Sequence, residues 1–385
     1  MHVSCSQPQL LQAVQKVHRA VASTTTMTAL TGILFQADEN MLTLQGTDLD
    51  LGIIYSFPVE VIIPGEILLP ARIFTEMVRR LPPTNVTIQL LADNTVELTY
   101  MQSRVHLNSL DPNQYPSFPE IEGETTLEID IKTLKDAIRK VSIASSSEDL
   151  RSIFSGILLE VNPKAQQFNL VATDTHRLAL YRGSFVSSTI KTDDEINALI
   201  SSRSLNELAR LLPGEEGTVQ ITIGSAQIFA CHDNLKLYAR LLDGKFPHYQ
   251  QVIPQSYTTR IKMSTRELLE TTERAVLLAR DEVKARSHII ILQIGETFKI
   301  KSEAAEVGHL EEELSAQIDG EPLTLALNGR YLLETLRILD SEEVVLELSS
   351  PLKPIVVKPE GQDNYFCLIL PIRINTTVPE REYHG

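Results

Sequence analysis

Tryptophan is absent from this 385-residue chain, aromatic residues make up 5% of it, and only three cysteines occur, Cys5, Cys231 and Cys367. The cysteines lie far apart with no C-x-x-C pairing, which argues against a disulfide framework or structural zinc site and fits a reducing compartment. The start, MHVSCSQPQLL, lacks the basic region and apolar run of a secretory signal, and the longest apolar run, near HIIILQI, is far short of a membrane span. The expected location is the cytoplasm. Also missing are a Walker lysine loop, a dinucleotide glycine fingerprint and an H-E-x-x-H pair, the local devices that hold phosphates, dinucleotides or catalytic zinc. Two His/Asp pairs, Asp174 with His176 and His232 with Asp233, have the right chemistry for metal or acid/base work. Zinc, however, needs three or four protein ligands, and no third His or Cys stands at ligand spacing. The expectation is a chain with no catalytic residue, no metal and no cofactor, a metal-dependent hydrolase being the remote alternative.

What the chain has is repetition. ARIFTEMVRRLPP from Ala71, SRSLNELARLLPG from Ser202 and GRYLLETLRILDS from Gly329 align without a gap, 131 and then 127 residues apart. Arg72, Arg203 and Arg330 match, as do Glu76, Glu207 and Glu334, Arg79, Arg210 and Arg337, and Leu81, Leu212 and Leu339. A period that long is a domain copied three times, not a short-repeat solenoid. A second amphipathic segment recurs in the same phase, with Leu10, Leu134 and Leu268 matched and a cation at Lys16, Lys140 and Arg274. Two helices per copy predict six, over 7 to 21, 72 to 81, 131 to 145, 201 to 212, 264 to 286 and 328 to 339.

The formal net charge of −15 speaks at first against a nucleic-acid partner, because affinity for phosphate comes from Lys and Arg. The distribution of charge reverses that reading. The six segments hold 18 Lys and Arg against 9 Asp and Glu, leaving 17 basic and 41 acidic residues for the rest, although the fifth segment is itself neutral. Helix propensity does not explain the excess, since Glu is favoured about as well as Lys and Arg. With no Trp and no aromatics interleaved among these cations, a stacking platform for single strands is not expected.

Between the helices, segments such as MLTLQGTDLDLGIIYSF, FNLVATDTHRLALYRG and TVQITIGSAQIFACHDNLKLYARLL alternate with period two or form short apolar runs, and read as strands. Linkers fall at 113 to 124 and 244 to 256, where YPSFPEI echoes KFPHYQQVIP. Six helices packed about 9 Å apart in a ring would leave a hole of only about 7 Å; twelve, from two chains, would leave roughly 24 Å, wide enough for a duplex.

GTDLDL at 46 to 51, LLPARIF at 68 to 74, ATDTHRLAL at 172 to 180, DGKFPHYQQVIP at 243 to 254 and LPIRI at 370 to 374 together resemble the bacterial sliding clamps, the β subunits of DNA polymerase III. The resemblance implies an α+β fold of three repeated clamp domains, each with two helices packed on antiparallel sheets, and a six-domain closed ring formed by a head-to-tail homodimer. Domains are expected at 1 to 122, 126 to 252 and 256 to 374, followed by a tail over 375 to 385. The implied role is a processivity factor: it encircles double-stranded DNA without regard to sequence, is loaded by a clamp loader, and tethers the replicative polymerase and repair proteins through short peptides. A paralogue that has lost its replication partners is the alternative within the same fold.

Carried over position by position, the resemblance implies a partner-peptide pocket between the second and third domains. Phe154, Thr173, Thr175, His176, Arg177 and Leu178 form one part of it, Pro247 and Val252 another, and Leu368, Leu370, Pro371, Ile372 and Arg373 the last. An apolar cleft rimmed by His176 and two arginines suits a peptide with a Gln and a Leu/Phe end. For dimerisation the resemblance pairs Val105 and Leu107, on an edge strand of one copy, with Leu277 and Leu278 on a helix of the other.

Candidate phosphate contacts are the repeated Lys16, Lys140, Arg274, Arg79, Arg210 and Arg337, with Arg19, Arg80, Lys132, Lys135, Arg139 and Arg151 as further basic positions on or beside the lining. The chain departs from the family at Thr24, where many clamps carry an arginine. It departs again at Thr175, where some have Gly, which matters if the backbone there needs positive φ. The eleven residues after LPIRI form a polar tail. It reads as disordered, or alternatively as a segment whose Val378 or Tyr383 folds back into the cleft.

Overall fold

The computed structural model describes residues 1–120, 125–146, 153–190, 195–279, 288–304 and 308–373. Arg151, the tail with Val378 and Tyr383, residues 121 to 124 of the first expected linker and residues 280 to 286 of the fifth expected helix lie outside the described residues. Six α-helices are present among them: α1 Gln7–Val17, α2 Ala71–Arg80, α3 Ile131–Ser142, α4 Ser202–Leu211, α5 Thr265–Leu278 and α6 Gly329–Arg337. All six expected helices therefore form. The first is shorter than its periodicity suggests, because after Val17 the chain tightens into a single 3-10 turn over His18–Ala20.

Local chemistry explains where the helices begin. Ser201 and Ser264 accept the backbone N–H groups of Ser204 and Glu267, and Asn328 accepts that of Arg330, so α4, α5 and α6 each start on a side-chain cap. α1 starts instead with Pro8 in its first turn, where a missing N–H costs nothing. The matched leucines set the packing face. Leu10, Leu134 and Leu268 are buried, and so are Leu81, Leu212 and Leu339 just past the second helix of each copy.

One strand per copy escaped the sequence reading. His2–Ser6, Thr125–Asp130 and Thr259–Ser264 precede α1, α3 and α5, each alternating buried and half-buried positions. Each is only five or six residues long and runs directly into the helix that follows, so its period-two signal is short beside the helical one.

The chain forms two compact units, one of Met1–Lys135, Asn162–Gln166 and Ser184–Leu242, the other of Asp136–Val161, Gln167–Gly183 and Asp243–Gly385. The first contains a five-stranded sheet whose outer strand is Ser103–Asn108 and a nine-stranded antiparallel sheet. In the latter, Leu51–Pro58 of the first repeat pairs with Leu235–Arg240 of the second, Gly52 opposite Tyr238. The second unit contains a four-stranded sheet ending on Gly308–Leu314 and a larger sheet in which Arg177–Ser184 of the second repeat pairs with Tyr365–Ile369 of the third, Leu178 opposite Leu368. The middle repeat thus contributes strands to both units, because ladder hydrogen bonds join successive repeats edge to edge.

Truncating a matched leucine should be costly. Leu10→Ala and Leu268→Ala are each expected to lower the stability of their own unit by about 2 to 5 kcal/mol, read from the denaturant midpoint of that unit's unfolding transition.

Candidate functional site

A cavity of about 220 Å³ opens in the second unit. One wall is the turn between strands Gln167–Thr173 and Arg177–Ser184; the others come from the paired strands at Leu178 and Leu368, the loop Pro247–Val252, and Phe154 and Pro354. Its lining is mostly apolar, and at its mouth Val252 and Leu370 stay exposed. An apolar concavity with few polar groups is the form that anchor side chains of a partner need.

The turn is held rigidly. The Thr173 hydroxyl donates to the Arg177 carbonyl oxygen (2.7 Å) and accepts the Thr175 N–H (3.2 Å), while Asp174 Oδ1 accepts the N–H groups of His176 and Arg177, each at 2.9 Å. Thr175 sits at φ +75°. The position therefore does need the left-handed conformation, and a β-branched residue adopts it at a cost of about 1 to 2 kcal/mol against glycine. Asp174 is consumed by this turn, which removes the acid/base reading of the Asp174 and His176 pair. His232 is likewise engaged: its Nδ1 lies 2.9 Å from the Thr218 carbonyl oxygen, which can only accept.

Nine of the thirteen residues expected at the pocket line the cavity: Phe154, Thr173, Thr175, Arg177, Leu178, Pro247, Val252, Leu368 and Leu370. The other four do not. His176 is turned outward and stacks on Tyr331 with ring centroids 6.3 Å apart, and Ile372 bridges to Ala326, its N–H reaching that carbonyl at 2.7 Å. Pro371 and Arg373 flank that bridge outside the lining. Arg177 is not a rim cation either. It is buried, hydrogen-bonded to Asp174 (3.0 Å) and Glu334 (2.6 Å), with its guanidinium 4.4 Å from the centre of the Tyr331 ring. Burial works against both charges of that pair, and each partner more than offsets it for the other: the Arg177 pKa is raised, and Arg177 and Arg330 together hold the Glu334 carboxyl below its ordinary value. His248, Tyr249 and Pro354 line the cavity without having been expected. The first two were legible as neighbours of Pro247. Tyr249 donates to Glu160 at 2.5 Å, and burial is the main cause that pushes its phenol above the usual range. Nothing in the sequence brings Pro354 close.

The candidate cations separate into two groups. Of those matched on the first helix of each copy, two lie against the protein itself: Lys16 is 3.9 Å from the centre of the Tyr55 ring, and Lys140 is buried with its ammonium 2.7 Å from Asp136. The third, Arg274, is paired with Glu312 at 2.6 Å but keeps 51% of its side-chain exposure, as the second group does. Lys140 is thus corrected from a lining cation to a core ion pair. Two more satisfy carbonyls beyond helix ends: Lys135 bonds Leu212 and Gly214 after α4, and Arg139 bonds Ile338 after α6 together with Asp340 and Asp136. The second group is exposed. Arg79, Arg210 and Arg337, the arginines matched on the second helix, retain 53%, 62% and 56% of their side-chain exposure beside Glu76, Glu207 and Glu273. Arg80 and Lys132 are more exposed still, and Arg19 reaches Glu207. Pairs made by arginines this exposed are worth about 0 to 1 kcal/mol, so a phosphate can take any of the three matched arginines from its carboxylate. Thr24 is exposed and brings no charge.

The Arg177–Glu334 pair generates a prediction. Because the folded Glu334 pKa is depressed, its contribution is complete above the unfolded value near pH 4.5 and is lost as pH falls through the folded one. Glu334→Gln should destabilise the second unit by about 1.5 to 3 kcal/mol at pH 7, and the difference from wild type should shrink on acidification, as read from unfolding midpoints at pH 7 and pH 3.5.

Three family models match in succession: the N-terminal domain of the DNA polymerase III beta subunit over residues 1–119, its central domain over 128–248 and its C-terminal domain over 250–373. The beta sliding clamp of Bacillus subtilis is 32% identical, covering 97% of this chain and all of that protein, and the one from Halalkalibacterium halodurans is 31% identical with the same coverage. Among solved structures, the Bacillus subtilis clamp superposes with a TM-score of 0.91 at 31% identity, covering 97% of this chain and 99% of that one. A Pseudomonas aeruginosa clamp bound to griselimycin also reaches 0.91, at 28% identity, with 97% and 100% covered. Similarity of this extent, over all three repeats, means that the chain belongs to the DNA polymerase III β subunit family, the bacterial β sliding clamps.

Proposed function

We propose that two copies of this protein close head to tail around duplex DNA and that each tethers the replicative polymerase, the clamp loader and repair proteins through short peptides seated in the cavity of the second unit. The protein itself performs no chemistry, and its place of work is the cytoplasm. The observation that carries the reading is the pairing, on one acidic chain, of exposed repeated arginines with a rigid apolar pocket. Domain limits of 1 to 122, 126 to 252 and 256 to 374 belong to the same proposal.

DNA contact falls to Arg79, Arg210 and Arg337, with Arg19, Arg80 and Lys132 beside them. Long, exposed side chains held only by weak partners can follow a moving phosphate backbone without reading bases. In the pocket, Leu178, Leu368, Val252 and Pro247 would take the apolar end of a peptide, with Thr173 fixing its register.

The dimer contact is assigned to two sheet edges. Ser103–Asn108 is the outer strand of its sheet and carries Arg104 and His106, with Val105 and Leu107 half-buried; Gly308–Leu314 is the outer strand of its own and carries Glu311, Glu312 and Glu313. Open edges invite pairing, and opposite charge favours these two over like with like. Leu277 on α5 is 76% exposed, an apolar residue left uncovered by the described residues, and Leu278 is next to it.

Once loaded, the protein should stay on closed circular DNA in high salt and leave when the circle is cut. Leu277→Ala with Leu278→Lys should sediment as a monomer at low micromolar concentration and lose that retention; retention on linear DNA with free ends would refute the ring. Replacing Arg79, Arg210 and Arg337 together by Ala should reduce the salt slope of direct duplex binding by about 3 in log–log units. Lys140→Met should leave the slope unchanged and lower stability instead.

A further inference from the structure

The turn that walls the pocket occurs a second time, in the first unit. The Thr47 hydroxyl donates to the Leu51 carbonyl oxygen (2.9 Å) and accepts the Leu49 N–H (2.9 Å), and Asp48 Oδ1 accepts the N–H groups of Asp50 (3.1 Å) and Leu51 (2.8 Å). This is bond for bond the arrangement of Thr173 to Arg177, and Leu49 stands at φ +78° where Thr175 stands at +75°. Two of the other walls have counterparts too. Gly52 faces Tyr238 across the strand pair as Leu178 faces Leu368, and Tyr115-Pro116-Ser117-Phe118 corresponds to Phe246-Pro247-His248-Tyr249.

What differs is the space between those walls. In the first unit it is occupied by Tyr238. Its hydroxyl lies 2.6 Å from Thr47 Oγ1, its ring meets Phe118 edge-on at 5.1 Å, and the side chain is buried. The Thr47 proton is used on Leu51, so the phenol donates to a remaining Thr47 lone pair. Gly52 is what admits the ring, since a Cβ there would lie 1.9 Å from it. At the counterpart positions Leu178 supplies that Cβ and Leu368 is shorter than Tyr, and the cavity is open. The lone pair that Tyr238 fills on Thr47 is then offered by Thr173 to an amide or hydroxyl of an incoming ligand.

We propose that the first unit holds a latent second peptide pocket, closed by the chain's own Tyr238, and that the Gly52/Tyr238 pair limits each protomer to one docking site. Its ligand class is that of the open pocket: a short peptide with an apolar end and one N–H or O–H donor to meet the threonine. The inference rests on the peptide-docking reading of the open pocket.

Calorimetric titration with a synthetic peptide bearing a Gln and a Leu/Phe C-terminal end tests both readings separately. Wild type should bind one peptide per protomer, and Gly52→Leu with Tyr238→Leu, which copies the open pair, should bind two. The reverse graft, Leu178→Gly with Leu368→Tyr, should weaken binding at least tenfold while thermal unfolding stays cooperative. No binding to wild type would overturn the docking reading itself. One site in wild type and still one in the folded opened variant would overturn the latent pocket alone. If the opened variant does not fold, the graft decides: loss of binding supports the plug, and wild-type affinity refutes it.

Discussion

Backbone pairing between strands of successive repeats is the constraint on which the functional surfaces depend. Leu51–Pro58 can meet Leu235–Arg240, and Arg177–Ser184 can meet Tyr365–Ile369, only in a register that keeps apolar side chains on the buried face. That register sets Gly52 opposite Tyr238 and Leu178 opposite Leu368. It also places each Thr-Asp turn at the mouth of a strand pair, next to a Pro-aromatic loop. One backbone solution, used twice, therefore yields a space filled by Tyr238 in one unit and an open one in the other.

Charge obeys a similar economy. Half-buried cations cannot be left unpaired, so Lys140 takes Asp136, Arg177 takes Asp174 and Glu334, and Lys135 and Arg139 take carbonyls beyond helix ends. Arg79, Arg210 and Arg337 on the second helices, and Arg19, Lys132 and Arg274 outside them, are exposed enough to exchange their carboxylate partners for a phosphate. The repeated Glu pairs with the arginine three residues on in two copies, Glu76 with Arg79 and Glu207 with Arg210, whereas in the third Glu334 is taken by Arg177 and Arg330 and Arg337 turns to Glu273.

Much of this was legible in the chain. The six helices followed from the phase of Leu10, Leu134 and Leu268 and the matched 13-residue segments, and most pocket residues from TDTHR, KFPHYQQ and LPIRI. The misreadings have physical causes. Lys140 reads as a lining cation because a repeated cation looks the same in sequence whether it points to solvent or is buried against Asp136. His176 was drawn into the pocket by its neighbours, although the turn that Asp174 caps faces it outward.

Periodicity, spacing and composition determined by themselves the three-fold repeat, the helices, the strand-rich remainder and the segregation of basic from acidic residues, because each is a local or summed property of the chain. Tertiary structure alone decided which of those groups are spent and which remain available. Whether Arg177 is a ligand group or a buried strut, whether Tyr238 is a surface phenol or a plug, and whether Pro354 belongs to the pocket all depend on contacts between residues far apart in sequence. Burial and pairing are properties of the space around a side chain, and that space exists only once the strands of successive repeats have met.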